Sequence, residues 1–235
     1  MKVYQIYFDE NQLHQIEKSY IPYFNKRCTV FFENEVIRDL IFSGAHHDTE
    51  YFGVVSYQLR KKIDSAHIEV GSNASFDPDQ FKSILFKTKP DVLSYWTKPL
   101  HDPILVGDEF HPNFSKYWKH IMMKIGYDWR PQPLSFVIYC NFFVAKSTVY
   151  DAYVREMLAP AMEVMSEMPE LMNDSLYSKS LPDHLKAEFK VNQWPYHPFL
   201  CERMFSYYAF IKNLKSSSFG SLTSICKGYI EPQIY

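Results

Sequence analysis

Two charged side chains stand side by side inside an apolar run near the end of the chain, Phe199-Leu-Cys-Glu202-Arg203-Met-Phe205. A carboxylate taken out of water gains basicity and suits proton transfer. A guanidinium beside it can keep it ionised, or offset negative charge that builds on a departing group. The structural alternative is an ion pair that orients a helix. A second charged run, Arg60-Lys61-Lys62, follows Ser56-Tyr57-Gln58-Leu59. Such a run can meet a diphosphate, because Arg offers a fork to two phosphate oxygens and Lys a point charge. A solvated helix face explains the same run.

The acidic groups are less specific. Asp77-Pro78-Asp79 is a literal D-x-D, the pattern that holds a divalent metal through hard oxygen ligands. Asp before Pro at the start of an apolar helical pattern is instead an N-cap followed by an N1 proline, and no metal ligation is expected there. His46-His47-Asp48-Thr49-Glu50 could ligate a metal, but it precedes a strand and reads as a polar loop. Gly107-Asp108-Glu109-Phe110-His111 resembles a fragment of a metallophosphoesterase motif without the remaining ligands. There is no G-x-S-x-G elbow and no cysteine in a nucleophile setting. With 7 glycines, where average usage gives about 16, and no G-x-G, a Rossmann fingerprint and a Walker A loop are both absent. A bound nucleotide would be held by side chains, ordinary backbone groups or a metal. Magnesium or manganese stays open as a cofactor, with no credible D-x-D to hold it.

These residues need a frame. Val3 to Phe8, Tyr51 to Ser56, Asp91 to Tyr95 and Phe136 to Ala145 read as strands. Helical stripes run between them: Phe31 to Ile41 stopped by Gly44, Asp77 to Lys87, and Phe114 to Ile125 stopped by Gly126. A long amphipathic helix starts at Ser147, with Pro160 expected to kink or split it. A short helix near Pro182 to Phe189 and a last one from Pro198 to Leu214 follow. Residues 11 to 27 look irregular. Strands alternating with helices imply an α/β fold, a single domain over 1–215 with a mainly parallel central sheet flanked by helices. The Ser-rich segment 216–235 reads as a loosely held tail. In such sheets ligands sit at the carboxyl ends of the strands, which points to Ser56-Tyr57, Tyr95-Trp96 and the segment after Val144.

Bulk properties narrow the class. The chain has 235 residues, enough for one large domain. A net charge of −2 argues against a dedicated nucleic-acid binder. The four cysteines (28, 140, 201 and 226) form no C-x-x-C, so neither a zinc ribbon nor a redox motif is expected. The N-terminus lacks a long apolar h-region, and no run nears the ~18 apolar residues of a membrane span. A cytoplasmic protein with reduced thiols is expected, with peripheral membrane association left open.

Three segments together carry a resemblance: Tyr51-Phe-Gly-Val-Val-Ser-Tyr-Gln-Leu-Arg60, then Asn141-Phe-Phe-Val-Ala-Lys146 before its helix, then Pro198-Phe-Leu-Cys-Glu-Arg203. Their order resembles the uncharacterised glycosyltransferase-like proteins encoded among bacterial capsule and lipopolysaccharide genes, which are similar to GT-A transferases. In that family the segments read strand then His-Tyr-Arg-Arg, Asn-hydrophobic-Lys before a helix, and Ala-Glu-Arg. The likeness covers roughly residues 45 to 215 in three pieces. It implies transfer of a sugar from a nucleotide-sugar donor to a glycan or lipid-linked acceptor. Glu202 and Arg203 would then be the catalytic pair, with Glu202 as general base or positioning group. Tyr57, Arg60 and Lys61 would meet the nucleotide and its diphosphate. Tyr95, Trp96, Asn141 and His197 would bind substrate. This chain departs in Ser56, where the family has His, in Gln58-Leu59 before Arg60, and in lacking a D-x-D. The rival expectation is a non-catalytic carbohydrate or protein interaction module on a degenerate transferase fold.

Overall fold

A computed structural model of the chain describes residues 1–27, 29–69, 75–97, 101–173, 181 and 183–219. Among them six strands form one sheet: β1 (Lys2–Tyr7), β2 (Ile21–Phe24), β3 (Tyr51–Ser56), β4 (Val92–Ser94), β5 (Phe143–Lys146) and β6 (Ser216–Ser218). Their order across the sheet is β2-β1-β3-β5-β4-β6. Five run parallel, and β5 is antiparallel to both of its neighbours, β3 and β4. The described helices are α1 (Glu33–Phe42), α2 (Leu59–Glu69), α3 (Pro78–Thr88), α4 (Pro103–Phe110), α5 (Phe114–Lys124), α6 (Ser147–Tyr153), α7 (Ala159–Ser166), α8 (Glu170–Asn173), α9 (Asp183–Phe189) and α10 (His197–Ile211). The fold is α/β, with a mostly parallel mixed sheet flanked by helices. None of the described helices is long and apolar enough to cross a membrane.

Strand periodicity builds a core on each face. Alternate side chains of a strand point to opposite sides, so β3 sends Phe52 and Val54 one way and Tyr51 and Val55 the other. The first face packs on α1, α5, α6, α7 and α10 through residues such as Ile37, Trp118, Tyr150 and Phe205. The second packs on α2 and α3 through Leu59, Ile63, Phe81 and Leu85. All six residues of β3 are buried, as a strand covered on both faces requires. Its one glycine is steric: a Cβ on Gly53 would lie 2.9 Å from Val144 Cγ2 and 3.1 Å from the Phe143 carbonyl.

Asp77 caps α3 as expected, accepting from the amides of Asp79 (2.9 Å) and Gln80 (3.3 Å), with Pro78 in the first turn. Several expectations need correction. The strand expected over Phe136 to Ala145 is confined to Phe143–Lys146. Ahead of it, Ile138 exchanges hydrogen bonds with Ser206 Oγ on α10 (2.8 and 3.1 Å), so that apolar stretch is buried against a helix and not in the sheet. Residues 11 to 27 are not irregular throughout. Asp9 and Gln12 form a capping box on a short 3-10 helix, Glu10–Gln15. The edge strand β2 follows, where Pro22 needs no ladder partner on its open side. Pro160 does not split the long helix. The chain absorbs the proline through a π turn, Val154–Leu158, in which the Ala159 amide reaches the Val154 carbonyl. Residues 216–218, assigned to a loose tail by their serines, form β6 beside β4, and Phe219 is fully buried. Residues 220–235, with Cys226, and Cys28 lie outside the described residues.

Candidate functional site

The parallel strands end where β1, β3 and β4 pass into loops, and the start of the reversed strand β5 arrives at the same rim. The first turns of α10 close over it. Two clefts open there. The first, about 630 Å³, lies between Lys61 of α2, Trp96 after β4, His111 after α4, and the turn at Tyr139 and Cys140. The second, about 560 Å³, lies over Asp9 after β1, Lys26 after β2, Tyr57 after β3 and Trp194. Gln58, Lys62, Phe199 and Glu202 line both, so the clefts meet along that seam.

The turn feeding β5 is unusual. Cys140 and Asn141 both have positive φ (60° and 55°), and the Phe142 amide reaches back to the Tyr139 carbonyl at 3.4 Å. Two consecutive left-handed residues make a tight primed turn, which normally draws Asn-Gly. Cys140, neither glycine nor one of the short polar residues that tolerate positive φ, carries strain at the first position that the surroundings must hold. Asn141 does part of this, donating from Nδ2 to Asn34 Oδ1 at 3.1 Å. The turn puts the Cys140 thiol in the first cleft beside the seam, where Lys62 Nζ donates to Sγ at 3.1 Å.

Electrostatics concentrate at the same point. Desolvation raises the Glu202 carboxyl above its ordinary range, Arg203 and Lys62 pull against it, and Glu33 adds to the rise. Glu33, on the wall of the second cleft, is likewise raised, first by desolvation. The Cys140 thiol is pushed up to about 12 by burial and then by Glu202. At neutral pH it is therefore a protonated thiol, and its contact with Lys62 is a hydrogen bond and not an ion pair. Desolvation works against the Lys62 ammonium, but Cys140, Glu202 and Glu33 outweigh it and the net shift is upward.

The side chains singled out from the sequence fall into two groups. Glu202, Tyr57, Lys61 and Trp96 line the clefts, Tyr57 in the second and Lys61 and Trp96 in the first. Arg203 lines the first cleft, but its guanidinium is buried and engaged. Nε donates to the Pro103 carbonyl at 2.9 Å and Nη1 to the Phe199 carbonyl at 2.7 Å, with the rings of Phe114 and Tyr139 on its faces. Arg60 lines neither cleft. It grips Glu17 with both arms of its fork (2.8 and 2.7 Å) and donates to the Phe76 carbonyl. Tyr95 is core, stacked on Phe81 at 4.0 Å with its hydroxyl on Tyr20. Asn141 is buried under the seam. His197 is buried edge-on to Phe31 and lines neither cleft. The His46 to Glu50 loop lies at the other end of β3, where His46 Nε2 approaches Asp151 at 3.2 Å, and the segment after Val144, expected at the cleft rim, lies there too because β5 runs antiparallel.

No protein-family model, curated protein or solved structure matches the chain.

Cys140 and Glu33 are residues that sequence reasoning did not single out, and Lys62 was read only as the last cation of the Arg60-Lys61-Lys62 run. Lys62 had a signal: it lies one helical turn beyond Gln58, and its amide donates to the Gln58 carbonyl at 3.0 Å. Both therefore share a face of α2, and that face points to the strand ends. Cys140 and Glu33 had none. Among the described residues no three His, Cys, Asp or Glu side chains are grouped to ligate a metal ion.

Proposed function

We propose that the chain is a glycosyltransferase on a GT-A-like frame, moving a sugar from a nucleotide-sugar donor to a glycan or lipid-linked acceptor. The observation that carries this reading is the pair of clefts meeting at Glu202, at the carboxyl ends of the parallel strands. A group transfer needs two substrates that meet at one point. Each cleft is of small-molecule size, in the ~300–1,000 Å³ range of ligand pockets. Their aromatic walls, Trp96 in one and Tyr57 and Trp194 in the other, suit sugar rings and nucleobases.

In this reading Glu202 takes the proton of the acceptor hydroxyl as that oxygen attacks the sugar. Its desolvated carboxylate is basic enough for the task and sits within the clefts where the hydroxyl would lie. Arg203 serves as a positioning residue, tying the start of α10 to α4 through the Pro103 carbonyl. A cytoplasmic location, with peripheral approach to a membrane-held acceptor, belongs to the same proposal.

The test pairs a rate with a melting temperature on Glu202→Gln. Release of nucleoside diphosphate from a panel of nucleotide sugars, with acceptor glycans present, should drop by on the order of 10² to 10⁴. The melting temperature should stay near the parent's. A variant that transfers sugar at the parent rate removes Glu202 from the mechanism. A parent that releases nothing from any donor, yet binds glycans, turns the reading toward an interaction module.

A further inference from the structure

Substrates seated in the two clefts can touch one another only along the seam, and four side chains line it: Gln58, Lys62, Phe199 and Glu202. Lys62 is the only cation of the four. The other cations of the region are committed or peripheral. Arg60 is locked on Glu17, Arg203 on two carbonyls and two rings, Lys61 lines only the first cleft and Lys26 not the first. Resting on the transferase reading, we propose that Lys62, the last of the three cations in the Arg60-Lys61-Lys62 run, is the catalytic cation for a nucleoside diphosphate leaving group, in the role the resemblance gives to Arg60 and Lys61.

The local geometry fits that use. Among the described residues Lys62 forms no ion pair. Its Nζ donates to Cys140 Sγ at 3.1 Å and stands 5.4 Å from the centroid of the Phe142 ring. A thiol is a weak acceptor and an ammonium has three donors. Phosphate oxygens can therefore replace or join the thiol at small loss. The Glu33 and Glu202 carboxylates nearby keep the ammonium charged.

The step balances without a further reagent. The acceptor oxygen forms a bond to the sugar's anomeric carbon, and its proton passes to the Glu202 carboxylate. The bond from that carbon to the terminal phosphate oxygen breaks, and its electron pair leaves with the nucleoside diphosphate. The added negative charge on that oxygen develops beside the Lys62 ammonium. Stabilisation counts toward rate only where charge appears in the transition state, and the seam is where it appears.

The experiment is isothermal titration in EDTA with nucleoside diphosphates (uridine, guanosine, adenosine and cytidine) and the matching monophosphates. The protein is the full chain, as parent, Lys62→Met and Lys62→Gln, each checked by circular dichroism. Two variants guard against one that fails to fold. The parent should bind one diphosphate without metal, and either folded variant should bind it on the order of 10- to 100-fold more weakly. The monophosphate should lose less. Undiminished binding by the variants overturns the role of Lys62 and leaves the transferase reading standing. So does a parent that binds a diphosphate only when Mn²⁺ is supplied. A parent that binds no nucleoside diphosphate under either condition overturns both.

Discussion

His197 lies 2% exposed in the first turn of α10, edge-on to Phe31 at 5.1 Å. The ring makes a hydrogen bond to the Met165 backbone, and Nδ1 has no partner. A proton added at Nδ1 would bury an unpaired N–H and a charge among apolar groups, which is why burial holds this imidazole down at about 4 against an ordinary 6.5. The folded-state value is depressed, so the unfolded chain binds the extra proton more readily. Stability is therefore intact above about 6.5 and is lost as pH falls toward 4. A gap of 6.5 − 4 = 2.5 units is about 3 kcal/mol when fully expressed. At pH 4.5 about 2.5 kcal/mol of it is already lost. Against a total stability of about 5–15 kcal/mol that is a large fraction. With a slope near 2.5 kcal/mol/M, the urea midpoint should drop by about 1 M from this residue alone. The assay is urea unfolding followed by tryptophan fluorescence at pH 7.5 and 4.5, on the parent and on His197→Gln. The glutamine keeps a donor for the Met165 carbonyl and cannot titrate. His111 is depressed to about 4 as well, and Glu33 and Glu202 act in the opposite sense, but all three remain in both proteins. The difference between the two pH-induced losses isolates His197. A glutamine variant that loses as much stability as the parent would refute the reasoning.

Gly107→Ala should destabilise by about 1–3 kcal/mol through overpacking, because its Cβ would meet the Phe114 ring at 2.4 Å; thermal melting reads it. Phe205→Ala should lose about 3–5 kcal/mol, since its ring is buried, stacked on Phe143 at 3.7 Å and edge-on to Tyr153 at 4.9 Å; urea titration checks it. Arg60→Met should lower stability by about 2 kcal/mol, below the buried-pair range because the fork is partly exposed, and leave nucleotide affinity unchanged. Weaker nucleotide binding at parental stability would put Arg60 on the ligand instead. Cys140 should alkylate with iodoacetamide at pH 7.5 far more slowly in the folded chain than in urea, because burial holds the thiol near 12; mass spectrometry over time decides it.

The parts of this fold that were legible in the sequence are those written locally. Tyr51 to Ser56 is an apolar run long enough to need both faces covered, and all six of its residues are buried. The Asp77-Pro78 signal carries its own hydrogen bonds. β2 and β6 were not legible, because Pro22 interrupts the short run Ile-Pro-Tyr-Phe and Ser-Ser-Ser has little strand character of its own, β6 being held by a partner more than a hundred residues earlier. The turn at Cys140 was hidden for want of a glycine. Glu202 was found because a charge in an apolar helix stands out. Phe199 lies one turn before it on the same helix, but Gln58 and Lys62 come from the segment after β3, and only the sheet topology brings them to Glu202. Arg60 shows the limit of reading charge from sequence. Its partner, Glu17, sits 43 residues earlier, in a stretch that looked shapeless.

β6 follows directly on the helix that carries Glu202, and it lends its edge to β4 for only three residues. Asp91 clamps it there, accepting from the Lys215 amide at 2.9 Å while pairing with Lys146 at 2.8 Å. Just past it, Phe219 fills the space beside Phe76 and Phe81. Cutting the chain at 215, where composition invites a boundary, would strip the ladder from β4 and open an apolar hole behind it. A bare strand edge over a greasy gap is a template for sticking to its own kind. For anyone producing this protein, the serines that look expendable belong inside the boundary and not beyond it.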